Sequence, residues 1–226
     1  MTTTTAVDTD AAIRLGGLAL AFARVERITR HEDGLTPESD TDHTVMLGLL
    51  ACAFAAEHLP QLDLGLVAQL ALVHDVVEAY AGDTPTLRID ADQQACKQAR
   101  EAAALDRIRG EFATAYPWLV DSIACYEARQ VPEARYVKAL DKLVPKVTHL
   151  LNGGATMRQQ GLTVGEVAAR YERQLHELRG YAADFPALFE LREELIGRLL
   201  DVLAGEEGAD PGARPLIRHP EARRAW

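Results

Sequence analysis

Three ionisable residues interrupt an otherwise apolar segment, LALVHDVVEAY. His74 and Asp75 stand adjacent inside it, and Glu78 follows one turn later. Helical spacing would place all three on the same face as the apolar Val67 and Leu70. Burying an unpaired carboxylate costs on the order of several kcal/mol. The segment therefore requires a group that compensates its buried charge.

Two further segments contain a comparable anomaly. His43 lies on an apolar stripe with Met46 and Leu50, and Asp141 shares a face with Val144. A lone histidine on such a stripe is more often structural than a ligand. Asp141 has an alternative interpretation as the partner of a neighbouring lysine, either Lys138 or Lys142. Pro145, four residues after Asp141, predicts a kink there, because the Asp141 carbonyl loses its usual helical donor.

One divalent cation would compensate all of these residues together. Two neutral imidazoles and two carboxylates form a mixed nitrogen and oxygen shell with room for water. Carboxylates beside a cation stay ionised, because its charge outweighs their desolvation. We therefore expect one divalent transition metal ion per chain, and Mn, Co, Fe, Ni and Zn all accept such ligands.

The elements that must position these residues are helices. Strand-like alternation is scarce, and Ala, Leu, Glu and Arg dominate. We expect an all-α, single-domain bundle over residues 10–205, with a flexible leader over 1–9 and a flexible tail over 206–226. Eight helices are predicted. The first four run over about 10–29, from Thr41 to HLPQLD, over 64–80 and over 90–115. The fifth is YPWLVDSIACYEAR, the sixth is PEARYVKALDKLVPKVTHLL, the seventh is capped by Thr163 with Glu166, and the eighth begins after Asp184. Ser39 with Asp42 forms the capping pattern of the second helix, and Gly82 ends the third.

Composition narrows the class of protein. The 226 residues carry a formal net charge of −10, which disfavours broad nucleic-acid binding but leaves room for a small anion held by a few arginines. Three widely spaced cysteines without a CxxC pair suit a reduced cytoplasmic setting. The start of the chain lacks the pattern of a signal peptide, and its apolar runs are too short or too interrupted by charge to span a membrane.

The order and context of these residues resemble the HD-domain superfamily of metal-dependent phosphohydrolases. TPESDTDH, HDVVEAYAGDTPT and VKALDKL are similar to segments of its bacterial 5'-deoxynucleotidase branch, and the resemblance spans residues 24–148. It implies no role for the additional helices at 163–204. The resemblance implies four metal ligands, His43, His74, Asp75 and Asp141. It implies that Glu78 is a catalytic carboxyl group, which could take a proton from water or give one to the leaving 5'-oxygen, and that Asp83 is a second functional acid. Arg27, or Arg30 and His31, would hold the substrate phosphate, and Thr84 and Pro85 would line the nucleoside end.

This resemblance implies a metal-dependent hydrolysis of nucleoside 5'-monophosphates, with deoxynucleotides as the expected substrates, and a homodimer. Arg27 has the alternative of pairing with Glu26 or Asp33. The main rival activity is a nucleoside triphosphate hydrolase that releases triphosphate or pyrophosphate. Its phosphate-binding candidates are Arg24, Arg30, His31, Arg88 and Lys146.

Other relatives of the fold fit the sequence less well. Ala79 follows Glu78 where guanosine tetraphosphate hydrolases carry an adjacent acidic pair. No histidine lies between His74 and His149, which favours a mononuclear site. A non-catalytic regulator of the same fold is a further alternative.

Overall fold

A computed structural model describes residues 7–84 and 90–206 of the chain. The fold is almost entirely helical with one two-stranded sheet, which confirms the all-α prediction. In chain order the elements are α1 (Thr9–Phe22), β1 (Glu26–Arg30), β2 (Pro37–Ser39), α2 (Asp40–His58), α3 (Leu64–Val73), α4 (Glu78–Ala81), α5 (Ala91–Phe112), α6 (Pro117–Ala128), α7 (Pro132–Asp141), α8 (Val144–Leu151), α9 (Ala155–Gln159), α10 (Val164–Ala182) and α11 (Pro186–Glu206).

The chain divides into two compact units. The first contains the described residues up to Ile28 together with Glu38–Asp141, and the second contains Thr29–Pro37 and the described residues from Lys142 onward. Each unit has its own apolar core. In the first, the core includes Leu18, Val73, Val76, Ile108, Phe112, Leu119 and Ile123. In the second, it includes Met157, Val167, Tyr171, Ile196, Leu199 and Leu203.

The first predicted helix, 10–29, was too long. Helix α1 ends at Phe22, and Glu26–Arg30 forms strand β1, which pairs with β2. A tight turn favours this hairpin over a continued helix. The Asp33 carboxylate accepts hydrogen bonds from the backbone N–H groups of the two residues after Gly34, at 2.7 and 2.9 Å. Gly34 itself has a φ of 71°, which a side chain would make unfavourable.

The predicted start of the second helix is correct. The Ser39 side chain accepts a hydrogen bond from the Asp42 backbone N–H at 3.1 Å, and the Asp42 carboxylate accepts one from the Ser39 backbone N–H at 2.9 Å. These reciprocal bonds satisfy donors that the first turn of a helix would leave open. They also fix the first turn of α2, in which Asp40 and His43 are fully buried.

The third predicted helix is interrupted where the sequence places its ionisable residues. Helix α3 ends at Val73, and α4 begins at Glu78. Tighter hydrogen bonds of the i→i+3 type connect them, among them Glu78 N–H to the Asp75 carbonyl at 2.8 Å. The helix after this turn ends at Gly82, as predicted, with a φ of 72°. His74 and Asp75 therefore lie on a turn and not on a continuous helical face.

The sixth predicted helix is also divided. Helix α7 ends at Asp141, and α8 begins at Val144 with Pro145 in its first turn, so the predicted break is present. Thr163 and Glu166 form the predicted capping box of α10. Short helix α9 was not predicted.

By length and composition alone, one stretch of 18 residues, Leu64–Ala81, is long and apolar enough to cross a membrane. Core helices of soluble proteins can have the same length and apolar composition. This stretch contains Asp75 and Glu78, and the turn after Val73 divides it.

Candidate metal centre

Four side chains from three separate parts of the first unit meet in one place. His43 comes from α2, His74 and Asp75 from the turn after α3, and Asp141 from the end of α7. One potential ligand atom from each lies within 4.8 Å of the others. The structure therefore brings together the complete set of residues that was predicted to bind a metal.

The distances within this cluster suit a shared ion. His43 Nε2 lies 3.1 Å from Asp141 Oδ1, and His74 Nε2 lies 3.1 Å from Asp75 Oδ2 and 3.9 Å from Asp141 Oδ1. Ligand atoms that surround an ion at about 2.0–2.2 Å are themselves roughly 3–3.5 Å apart. His74 Nε2 is buried and has no hydrogen-bond partner of acceptable geometry. The donor set and its spacing thus fit one divalent cation.

The backbone fixes the orientation of the His74 ring. Its Nδ1 lies 2.8 Å from the Ala71 carbonyl oxygen. A carbonyl oxygen only accepts, so Nδ1 carries a hydrogen and donates it. In the neutral ring the lone pair therefore lies on Nε2, which faces the two aspartates. A ligand histidine is commonly held in this way by a hydrogen bond on its other nitrogen.

A buried carboxylate stands behind the second histidine. Glu38 is almost fully buried, and its Oε1 lies 3.9 Å from His43 Nδ1. His43 Nε2 faces Asp141, so Glu38 lies on the opposite side of the ring from the cluster. No role was predicted for Glu38 from the sequence.

Without a cation, His74 and Asp75 compensate each other electrostatically. Burial lowers the pKa of His74, but the charge of Asp75 outweighs this effect and raises it above its usual value. Burial raises the pKa of Asp75, but the charge of the nearby His74 imidazolium holds it far below its usual range. The pair therefore favours an ionised carboxylate and a protonated imidazole.

Lys138, one of the two lysines weighed as a partner of Asp141, contributes to the electrostatic field at Asp141. Burial lowers the pKa of Lys138, whereas Asp141 and Asp75 raise it above its usual value. Its ammonium also lies 5.0 Å from the centre of the Tyr126 ring. Lys138 thus partly offsets the carboxylates of the cluster.

Arg27 lies directly beside the cluster. Its Nη1 is 2.8 Å from Asp40 Oδ1 and 3.2 Å from Asp75 Oδ2. Burial lowers the pKa of Arg27, but the carboxylates around it raise it above its ordinary value. Glu26 and Asp33 were the partners weighed for Arg27 from the sequence, and the structure replaces them with Asp40 and Asp75.

Asp40 is a functional candidate that sequence analysis missed. It is fully buried, and burial raises its pKa to about 6 despite the hydrogen bond from Arg27. Its Oδ2 has no hydrogen-bond partner among the described residues. A signal was present in the sequence, because Asp40 stands three residues before His43 and so shares its helical face.

The two predicted catalytic acids lie at the ends of α4. Glu78 is buried, and one of its oxygens lies 3.2 Å from Lys97 Nζ. Burial, followed by the charges of Asp75, Asp40 and Asp83, raises the pKa of Glu78 to about 9. Asp83 is half-buried after Gly82, and burial raises its pKa. Lys97 was not recognised from the sequence.

The predicted substrate-binding residues are placed less uniformly. Thr84 accepts a hydrogen bond of 2.6 Å from Arg100. Arg30 and His31 lie in the second unit, where the Arg30 backbone N–H donates to Thr156 at 3.1 Å and His31 Nδ1 lies 3.7 Å from Glu32. Two of the predicted residues, Pro85 and Arg88, fall outside the described residues.

Residues 23–180 match the family model of the HD domain. This match covers more than half of the chain, which therefore belongs to the HD-domain family. A search of curated proteins found no match.

Several solved structures are similar to this chain. A predicted metal-dependent phosphohydrolase from Magnetospirillum magnetotacticum MS-1 is 25% identical, with a TM-score of 0.69, over 88% of this chain and 98% of that one. A conserved hypothetical protein from Pyrococcus furiosus is 22% identical, with a TM-score of 0.56, over 81% of this chain and 98% of that one. A protein from Pyrococcus horikoshii OT3 is 22% identical, with a TM-score of 0.52, over 83% of this chain and 99% of that one.

Proposed function

We propose that this protein is a metal-dependent phosphohydrolase that cleaves nucleoside 5'-monophosphates, with deoxynucleotides as the expected substrates. The observation that carries the proposal is the convergence of His43, His74, Asp75 and Asp141, with Arg27 and Glu78 beside them. The HD-domain family and the phosphohydrolase name of the Magnetospirillum protein support the hydrolytic class. The nucleotide specificity rests on the resemblance of HDVVEAYAGDTPT to the deoxynucleotidase branch.

The residues of the cluster divide the chemistry between them. When bound, a divalent ion activates water and offsets negative charge on the phosphoryl oxygens. His43, His74, Asp75 and Asp141 would hold that ion. Asp83 is the candidate to orient a water or a neighbouring side chain. The charges of Arg27 and Lys97 act on it and partly oppose the rise in its pKa that burial causes.

Glu78 is suited to act as the acid. A pKa of about 9 keeps its carboxyl protonated near neutral pH. As the oxygen of water bonds to phosphorus and the bond from phosphorus to the 5'-oxygen breaks, Glu78 can give its proton to that leaving oxygen. Positioned proton transfer of this kind is typically worth about 10²–10⁴-fold in rate.

Arg27 is suited to hold the substrate phosphate. Its guanidinium offers several donors in a planar fork that matches two phosphate oxygens. Asp40 already fixes one of its nitrogens at 2.8 Å, close to the proposed ligand Asp75. A phosphate bound there would lie beside the ion.

Two alanine variants test the proposal. Asp75→Ala should lose bound metal, measured by elemental analysis, together with phosphate release from dAMP. Glu78→Ala should retain metal and lose turnover. Full phosphate release by both variants, with metal content verified, would exclude this assignment.

The triphosphate hydrolase remains a second candidate for one structural reason. Lys97 and Arg100 on α5 contact Glu78 and Thr84 at 3.2 and 2.6 Å, so basic side chains border the proposed site. Of the candidates named from sequence, Lys146 is buried in the second unit against Gln174 at 2.6 Å. Product analysis with dAMP and dATP separates the two activities.

We also propose that a second copy of the chain is the physiological partner and that the protein acts in the cytoplasm without nucleic-acid or membrane partners. Light scattering after size exclusion tests the first point. A homodimer should have about twice the 24.7 kDa mass of the chain.

A further inference from the structure

We infer that Lys97 is a positioning residue for Glu78: it anchors one carboxyl oxygen so that the other remains available for proton transfer. This inference rests on the proposed function, because it assigns Glu78 the acid role. It concerns α5, a helix in which no functional residue was predicted from the sequence.

The geometry separates the two oxygens of Glu78. Oε1 lies 3.2 Å from Lys97 Nζ, and Oε2 is buried without a hydrogen-bond partner among the described residues. The unpartnered oxygen is the one that can carry and transfer a proton. A carboxyl held through a single oxygen keeps its direction, whereas a free glutamate side chain would sample several rotamers.

Lys97 is itself held in place. Its ammonium lies 2.6 Å from Glu101 Oε1, one helical turn along α5. Burial lowers the pKa of Lys97, but the hydrogen bond to Glu101 and the charge of that carboxylate raise it above its usual value. Because Lys97 contacts both Glu78 and Glu101, its side chain is restricted to one conformation, and it remains a cation throughout the working pH range.

Helix α5 supports the other end of α4 as well. Arg100, three residues after Lys97 and hence on the same face, donates a hydrogen bond of 2.6 Å to Thr84. Elements α4 and α5 therefore meet through Lys97 at Glu78 and through Arg100 just beyond Gly82. Both contacts lie within the first unit.

Steady-state kinetics of metal-loaded Lys97→Met on dAMP tests the inference. Loss of the anchor should lower kcat about 10–100-fold, a part of the usual worth of acid catalysis, and leave KM within about 2-fold. Metal stoichiometry should be unchanged. Lys97→Arg, which can still pair with Glu78, should recover kcat to within about 3-fold of wild type. Arg109→Met is the matched control, because Arg109 is an exposed cation on α5 whose Nη1 pairs with exposed Asp106 at 3.1 Å, and it should keep full activity.

The outcomes distinguish this inference from the proposed function. If Glu78→Gln retains full turnover, the assigned acid role is wrong. If Glu78→Gln is inactive but Lys97→Met has wild-type kcat, the positioning role of Lys97 is wrong while the proposed function stands. A loss of metal from Lys97→Met would also overturn it, because the contact would then support the metal site.

A readout independent of turnover covers the case in which Lys97→Met does not fold. The ammonium 15N–1H resonance of Lys97, assigned by its loss in Lys97→Arg, should shift and exchange faster in Glu78→Gln. An unchanged resonance would show that the two side chains do not interact in solution and would overturn the inference.

Discussion

His43 Nε2 and Asp141 Oδ1 lie 3.1 Å apart, although 98 residues separate them in the chain. The contact joins α2 to the end of α7 inside the first unit, at a point where both side chains are buried. His74 and Asp75 are neighbours in the sequence, whereas His43 and Asp141 are brought together only by the fold. The contact is therefore a long-range feature on which the proposed metal site depends.

Metal should stabilise the wild-type protein but not a variant that lacks Asp141. A ligand at 100 times its Kd stabilises the folded state by about 2.7 kcal/mol. For a chain of this size that corresponds to a rise in Tm of roughly 5–11 °C. Differential scanning fluorimetry with and without Mn²⁺ should show this rise for wild type and for the exposed-site control Glu57→Gln, and none for Asp141→Ala. An equal rise in Asp141→Ala would contradict the site.

Metal binding should release a proton from His74. Its pKa is raised by Asp75, so much of the metal-free protein carries a proton on His74 near pH 6.5. Because a ligand imidazole must be neutral, binding displaces that proton, and affinity should fall as the pH decreases. Calorimetry at pH 6.5 in buffers of different ionisation enthalpy should show that protons are released on binding. The exposed-histidine variant His58→Gln should behave as wild type, and a buffer-independent enthalpy would exclude the proton release.

The sequence predicted the ligand set better than the backbone that presents it. His43, His74, Asp75 and Asp141 were identified because ionisable residues on apolar stripes need a partner, and that argument does not depend on exact helix bounds. The break after Val73 was missed, since tight i→i+3 bonds leave little trace in hydrophobic periodicity.

The supporting residues were missed for a different reason. Lys97 lies on a helix whose charged composition is typical of a solvated face, and only the fold shows that it reaches Glu78. Asp40 was given no role from the sequence, and its contact with Arg27 depends on the hairpin that replaced the end of the first predicted helix. Tertiary contacts between distant segments are not encoded in local patterns.

Asp40 should act through Arg27. If Arg27 binds the substrate phosphate, Asp40→Ala releases the nitrogen that is held at 2.8 Å and should raise KM about 10-fold, with kcat within about 3-fold. Arg27→Met should raise KM as well, and the double variant should be no worse than Arg27→Met alone, because the two residues act as a unit. Steady-state kinetics on the two single variants and the double variant, compared with wild type, forms a double-mutant cycle. Additive effects on KM would show that Asp40 acts independently of Arg27.

Glu78 should make the metal-free protein less stable as the pH rises. Its pKa is about 9 in the folded chain against 4.5 for an ordinary glutamate, so between these values the folded state holds a proton that the unfolded chain releases. Stability from this group is therefore full below about pH 4.5 and falls as the pH rises towards 9. Glu78→Gln removes the titration and should unfold later than wild type at pH 8.

The comparison at two pH values separates this effect from packing. At pH 8 the free energy of unfolding of Glu78→Gln should exceed that of wild type by at least about 1 kcal/mol, which is a rise in Tm of roughly 2–4 °C. At pH 4 the two proteins should have the same Tm. Lys97 keeps Glu101 as a partner in the variant, so its charge stays compensated. Glu57→Gln, an exposed glutamate on α2, should change Tm little at either pH. A stability difference between Glu78→Gln and wild type that is the same at pH 4 and pH 8 would show that folding does not raise the pKa of Glu78 and would remove the basis for its role as an acid.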